Sequence, residues 1–442
     1  MEQSQAILGL LAARLLPSFL CATAAWTVSL ALVHPPAAAQ VNTPPAARTD
    51  GVFLGDPAAV RSLGLTTVWQ DGVGIARGTT AKSVHTSDPE GDSVFVLDSG
   101  PGLTRVLVRD GRTVWRDRTG ERSDRVLSLA RSPRPKRDEV VICLDGGIVA
   151  ADFTTGRLVA RHKITRLPIT PAVVTDDFAV FGSKAGKVVW QQLSLGALMH
   201  VNGVRGTVID APLLLDDGVA VGSSDGEVAL FSATGGKAIW RHDVGAGVAG
   251  NLAADPVSVY ARCNDHSVHA MDLQSGKLRW RWKSSDNLSG RLFAGGGLVL
   301  TRIEGGDLVA LESLRDTSTD MTLRDGRVAW RSSVNGDPLC VIDDDIMLWD
   351  ERTHTATTVS VENGNVSAVA RFPDVIDIAV TSGESPDIYF LASTGLLQRC
   401  ATIKRAPASP PLVPAAKSDT EAEPAAPASE PDAGGESEST EP

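Results

Sequence analysis

The stretches GEVALFSATGGKAIWRHDV (residues 226–244) and HSVHAMDLQSGKLRWRWKS (residues 266–284) are one unit written twice. Val228 aligns with Val268, Gly236 with Gly276, Lys237 with Lys277 and Trp240 with Trp280, always at an offset of 40. Forty residues before Gly226 stands Gly186, with Val188 and Gly196 in register, and a further step back gives Gly146 with Ile148 and Gly156. The forward step from His266 reaches Gly306 with Leu308. A fixed spacing held over this many copies marks a repeat architecture, in which each copy is one supersecondary block that buries its faces against its neighbours.

Within a unit, apolar residues alternate before the first turn, as in Val257, Val259 and Ala261. Period two is the signature of a strand. A short Asp/Gly turn follows (Ser224-Asp225-Gly226), then a second alternating run (Val228, Leu230, Ser232), then a Gly-bearing turn (Thr234-Gly235-Gly236). Tight hairpins often require positive φ, which glycine supplies. A last strand ends in Trp. About 40 residues carrying three or four short antiparallel strands describe one propeller blade.

Outward from these copies the pattern loosens. Gly102, Val106, Gly111 and Trp115 read as an earlier blade, with about ten residues inserted before the next. After Leu311 the register is lost, and Asp316 to Arg324 reads either as an inserted loop or as the outer strand of that blade. Third strands are expected near Val106, Ile148, Val188, Val228, Val268, Leu308, Met347 and Leu397, which makes eight blades of about 42 residues over residues 66–404, with seven as the alternative. The last blade runs out after Ile403 without an outer strand, while residues 65–71 (LTTVWQD) form an orphan outer strand like Ile239 to Asp243. Pairing the two ends, Thr66 to Trp69 beside Leu396 to Cys400, would close the ring and remove an exposed sheet edge.

The chain has 442 residues, and closed all-β units often run past 200 residues as one domain. Nine Trp against two Tyr points to a repeated structural task for Trp. The net charge of -11 is concentrated at the end: residues 406–442 hold eight carboxylates and one Lys. No clustered basic face is present, so nucleic acid is not an expected partner. Residues 1–39 read as a signal peptide or membrane anchor: Leu15 to Val33 is a mostly apolar run, with Ala37-x-Ala39 as a cleavage site if it is removed and a membrane tether if it is kept. The context of Cys21 does not fit a lipoprotein box. Residues 40–64 read as a linker and short lead-in, 65–404 as the propeller, and 405–442 as an acidic Pro/Ala/Glu-rich tail too poor in apolar bulk to order.

The segment Ala270-Met271-Asp272-Leu273-Gln274-Ser275-Gly276-Lys277-Leu278-Arg279-Trp280 resembles the repeat of PQQ-like, quinoprotein-type propellers, and Gly236, Lys237 and Trp240 match it again. Ala150, Asp152, Gly156 and Arg157 match too, with Ala160 in place of the Trp. The resemblance spans roughly residues 66–404 and implies an all-β PQQ-like propeller. It also implies that Trp69, Trp115, Trp240 and Trp280 dock blade on blade beside the turn glycines Gly156, Gly196, Gly236 and Gly276. One branch of the family consists of PQQ- and calcium-dependent dehydrogenases that share an adjacent Cys pair, which is absent here, as is any C-x-x-C-H haem site. The other branch resembles BamB-type outer-membrane assembly factors, exported propellers that bind protein partners without catalysis. That likeness implies a monomeric, non-catalytic scaffold in the periplasm or cell envelope, with no cofactor, no catalytic or metal residues, and protein partners. The alternatives are a PQQ-dependent oxidoreductase and a surface ligand- or polysaccharide-binding module. Converging carboxylate, Asn and Arg groups in the central channel would favour a cofactor, and polar features at rim loops a scaffold.

Other chemistry-bearing residues have plainer readings. Cys143, Cys263, Cys340 and Cys400 lie in apolar strand-like runs and read as small hydrophobes, with a disulfide left open. His266 and His269, three apart on a strand, would face opposite ways and not share a metal. His162, Asn202 and His242 fall just after the outer strand, on a solvated rim. Asp343-Asp344-Asp345 reads as a turn, with calcium as the alternative. Arg131 to Arg137 reads as an exposed basic loop, with an acidic partner or lipid headgroups as the alternative. Asp176-Asp177 and Asp216-Asp217, 40 residues apart, read as turn formers.

Overall fold

The computed structural model describes residues 53–403 apart from 87–90, 122, 133–137, 217, 315–324 and 384. Eight four-stranded antiparallel sheets follow one another round a ring. Blades 1 to 7 use consecutive strands, beginning at Ala81, Val126, Val173, Leu213, Ala253, Leu288 and Asp337. Blade 8 takes three strands from the C-terminal end (Val375–Val380, Ile388–Ala392, Leu396–Thr402) and its outer strand, Leu65–Gly72, from the other end of the chain. The closing pair is antiparallel, with Thr66 opposite Ala401, Thr67 opposite Cys400 and Gly72 opposite Leu396. Closure therefore follows the pairing expected from the orphan strand, and the blade count is eight.

The packing explains the sequence pattern. The described core divides into eight apolar clusters, each shared by two neighbouring blades. In blade 5, Val259 and Ala261 enter the cluster with blade 4, while Tyr260 between them enters the cluster with blade 6. Successive side chains on a strand point to opposite faces, and here both faces meet another blade. That is why second and third strands such as Gly218–Gly222 and Glu227–Phe231 are buried at every residue. Outer strands such as Ala238–Asp243 are mostly half-buried or exposed, with Trp240 buried.

Blade 7 corrects one strand assignment. Met347 lies in its second strand, Asp345–Asp350, and the third strand is Thr355–Ser360. The sequence TATTVS offers Thr where other third strands offer Val or Leu, so the bulky apolar signal sits one strand early. Asp343 and Asp344 form the turn before that second strand, with Asp343 at φ 50°. Within residues 40–64, Pro57–Ser62 forms an α-helix capped by Asp56, and Leu54, Val60 and Leu63 pack with Phe372 of blade 7. The apolar run 15–33, residues 133–137, Asp217, the stretch 316–324 and the acidic tail lie outside the described residues. Among the described residues no helix is long and apolar enough to cross a membrane.

Candidate binding face

Strand direction alternates within each blade, so the interblade connections and the turns between second and third strands share one face of the ring. First strands of neighbouring blades touch between blades 8 and 1, 2 and 3, 5 and 6, and 6 and 7. On this face, at the mouth of the channel, a cavity of about 650 Å3 lies across blades 6, 7 and 8. It is lined by Arg291, Arg302, Arg352, Asn335, four carboxylates (Asp337, Asp350, Glu351, Asp377) and the Trp349 ring.

Converging Arg, Asn and carboxylate groups are the feature that favours a cofactor, so their partners decide what the cavity can do. Arg302 is spent on the backbone, donating to Val334 O at 2.7 Å and Gly336 O at 2.6 Å. Asp337 accepts from Arg291 N at 3.3 Å. Asp350 caps the following turn, accepting from Arg352 N at 3.0 Å and Thr353 Oγ1 at 2.8 Å, bonds that hold its carboxyl below the usual range despite partial burial. Asp377 accepts from Val84 N of blade 1 at 2.8 Å, while burial, and secondarily the Glu351 charge, push its carboxyl up. Three of the four carboxylates thus hold turns and strand ends in place. The side chains of Arg291, Glu351 and Arg352 are the exposed charges of the mouth. A cation-bridged quinone needs carboxylates free to ligate, and these residues do not fit it.

The indoles lie at the seams between blades. Trp69, Trp115, Trp240, Trp280 and Trp330 each donate Nε1–H to a backbone carbonyl of the next blade, at 2.6 Å (Val108), 2.7 Å (Phe153), 2.8 Å (Leu273), 3.1 Å (Ser313) and 2.8 Å (Val361). The neighbouring turn glycines leave no room for a side chain: a Cβ on Gly156 would fall 2.5 Å from the Trp115 ring, and one on Gly276 2.5 Å from Trp240. Both glycines have positive φ. Two seams differ. Where the repeat has Ala160 in place of Trp, the His162 ring stands over Gly196, at 2.4 Å from where its Cβ would be. In blade 3, His200 takes the Trp position and shares contact with Gly236 with Trp190 of the third strand. Trp190 is fully buried, and its Nε1 has no acceptor. His162, Asn202 and His242 therefore lie inside the outer strands and half-buried, not beyond them on a solvated rim.

Two other expectations change. Arg131 is buried, its guanidinium paired with Asp138 at 2.7 Å and stacked 3.7 Å from the centroid of Phe153, so the basic stretch does not begin as an exposed loop. His266 sits in a turn at φ 66° and His269 on the following strand, where His269 converges with Cys263 and Asp265. A search confined to C-x-x-C and His pairs misses this C-x-D-x-x-x-H spacing. The trio lies within ligand-to-ligand reach of a metal, 4.8 Å or less. The Ser267 hydroxyl, however, bonds both Asp265 and His269 Nε2, and Arg281 pairs with Asp265. Burial lowers His269 to about 4 and raises the Cys263 thiol to about 12. A cation would have to displace a hydroxyl and a guanidinium, so the arrangement is a polar lock for the hairpin. All four described cysteines are buried and unpaired.

The comparisons agree with the ring. A crystal structure of BamB from Moraxella catarrhalis superposes with a TM-score of 0.59 at 16% identity, covering 77% of this chain and 99% of that one. Saccharomyces cerevisiae Sqt1 superposes at 0.54 and 11% identity, covering 74% and 96%. Among sequences, the outer membrane protein assembly factor BamB of Xanthomonas campestris is 27% identical over 194 residues, a match spanning 41% of this chain and 45% of that protein. The sequence profile of the family described as outer membrane protein assembly factor BamB matches residues 26–179 and 224–375, well over half of the chain. With the closed ring of PQQ-like blades already established, that match places the chain in the BamB family of PQQ-like β-propellers.

Proposed function

We propose that this chain is a non-catalytic scaffold of the cell envelope, holding protein partners during outer-membrane protein assembly. One observation carries the reading beyond family membership: three of the four carboxylates at the channel mouth are committed to backbone amides, while Arg291, Glu351 and Arg352 project from the same face. Exposed charges at the mouth of a rigid ring suit a polar protein interface, where charge complementarity sets partner choice and encounter rate. A photo-crosslinker in place of Asn335, an exposed residue lining the same cavity, should trap a component of the outer-membrane assembly machinery in the native envelope. Arg291→Glu with Arg352→Glu should reduce that yield about tenfold without moving the melting temperature. Absence of any such crosslink would overturn the reading.

The competing reading, an oxidoreductase, has only the cavity's volume of about 650 Å3 in its favour, which is within the range of cofactor sites although the lining carboxylates do not fit a cation-bridged quinone. Purified protein supplied with PQQ and calcium should show neither stoichiometric binding nor alcohol- or sugar-dependent dye reduction. Binding together with turnover would replace the scaffold by the enzyme.

A further inference from the structure

A second pocket on the same face, of about 350 Å3, is electropositive and has no role in the reading above. It lies in blade 1 beside the ring-closing joint. Its walls are the connection from the closing strand into blade 1 (Ala76 to Thr79), the turn Ser99–Gly102, and two side chains of the blade's outer strand, Arg116 and Arg118. Residues two apart on a strand share a side, so Arg118 faces the way Arg116 does, towards Asp98. Arg77 comes from the opposite wall.

Among the described residues the only carboxylate in the lining is Asp98, and it is saturated. Its side chain is 2% exposed. Oδ1 accepts from Gly100 N and Gly102 N, both at 2.9 Å, and Oδ2 from Arg116 Nη2 at 2.8 Å, Thr79 Oγ1 at 3.3 Å and Ala76 N at 3.4 Å. A Cβ at Gly102 would fall 2.3 Å from Oδ2, so the glycine lets the carboxylate seat against the turn. Gly78, with nothing within 4 Å of its Cβ position, leaves the mouth open. One of three guanidiniums is thereby neutralised. Arg77 and Arg118 are exposed, and among the described residues neither has a side-chain hydrogen bond or ion pair. Guanidinium forks match carboxylates bidentately, so the pocket calls for carboxylates.

The chain itself supplies them. Described structure ends at Ile403, beyond the third strand of blade 8 and therefore on the opposite face of the ring from the pocket, where its N–H donates to Gly64 O at 2.9 Å. Beyond it run 39 residues, a contour of roughly 130 Å when extended, more than the path across one small domain. Residues 406–442 carry eight carboxylates against one Lys. We propose that the pocket of Arg77, Arg116 and Arg118 binds carboxylate-rich polypeptide, and that its occupant is this chain's own acidic C-terminal segment. Tethering gives that segment an effective concentration on the order of millimolar, enough to keep weaker acidic ligands out.

The test uses a fluorescent synthetic peptide of residues 406–442 and two full-length chains, the natural one and one with all eight tail carboxylates changed to amides. The amide-tail chain should bind the peptide at least tenfold tighter than the natural chain. Its binding should weaken steeply between about 0.05 M and about 0.5 M salt, as screening shortens the reach of exposed charges. Within the amide-tail chain, Arg77→Glu with Arg118→Glu should weaken binding at least tenfold, and Arg77→Lys with Arg118→Lys, which keeps the charge but loses the fork, should weaken it by less. Both positions are exposed, and an unchanged melting curve verifies folding. Equal binding by the two chains would overturn the proposal and assign the pocket to an acidic segment of another protein. No binding by the amide-tail chain, or indifference to the Glu substitutions, would overturn it as well.

Discussion

The seam between blades 5 and 6 and the seam between blades 2 and 3 occupy the same place in the repeat and are built differently. At the first, Trp280 is 1% exposed, packs with Tyr260, Leu292 and Val299, and donates across the seam to Ser313 O. At the second, Ala160 holds the Trp position, the core cluster takes no aromatic from the outer strand, and His162 covers the turn glycine with its Nε2 buried and unbonded. A buried indole contributes large apolar area and one satisfied N–H, whereas a half-buried imidazole with an orphaned nitrogen forfeits part of what it gains. Closure lets one ring contain both, because the rest of the closed ring holds a weak seam shut. Exposed apolar residues on the outer strands do not separate the seams: Val159 is 56% exposed, and its counterpart Ile239, beside the docked Trp240, is 48% exposed.

The most severe way to break the comparison is to open the ring. Deleting residues 53–72 removes the outer strand of blade 8 and bares the edge of Leu396–Thr402. The expected outcome is loss of the cooperative melting transition and aggregation measurable by light scattering. A deletion that still melts as sharply as the full chain would show that closure does not hold the weak seam.

Next in size is the docking role proposed for the indoles. Trp280→Ala should cost about 3–5 kcal/mol in chemical denaturation, the usual penalty for emptying a large core site. His162→Ala should cost under about 1 kcal/mol, as for a half-exposed side chain outside the main packing. Equal costs at the two positions would erase the difference between the seams.

The glycines extend the contrast to a second Trp seam, that of Trp240 between blades 4 and 5. Gly276→Ala and Gly196→Ala share the strain of positive φ, at 67° and 64°, worth about 1–2 kcal/mol. At Gly276 the new methyl meets the buried Trp240 ring, which cannot retreat, and overpacking adds about 1–3 kcal/mol. At Gly196 it meets His162, which can swing outwards. Urea melts should therefore separate the two variants, with Gly276→Ala the less stable.

Much of this was open to sequence reading and some was not, for identifiable reasons. The offset of 40 made blades 2 to 6 legible because turn glycines and strand-ending Trp recur in register, and the orphan strand at residues 65–71 announced its own partner. Blade 7 was misassigned at Met347 because its third strand is built of threonines. Substitution of the Trp by Ala160 was visible, but the replacements were not: His162 lies two residues on, and Trp190 acts from another strand of its blade. Nor does any local spacing join Arg77 to Arg116 and Arg118, or Val84 to Asp377. Those meetings exist only once the ring has folded and closed.

The finest test lies at the seam between blades 3 and 4, intermediate between the other two. Trp190 there meets Phe231 edge-on at 5.5 Å between ring centroids, and its ring lies 3.4 Å from where a Cβ on Gly236 would be, while His200 stands closer at 2.8 Å. The indole has moved from the outer strand to the third strand, and the two residues divide one groove. His200→Trp should therefore gain nothing by itself, since a second indole finds the groove filled, and its effect should stay within about 1 kcal/mol. Once Trp190→Val has emptied the groove, the same His200→Trp change should become stabilising. A double-mutant cycle should return a coupling of about 1–2 kcal/mol, the size found for residues that share a cavity. Additivity within about 0.5 kcal/mol would mean that Trp190 packs only within its own core cluster, and that this seam belongs with the weak one between blades 2 and 3.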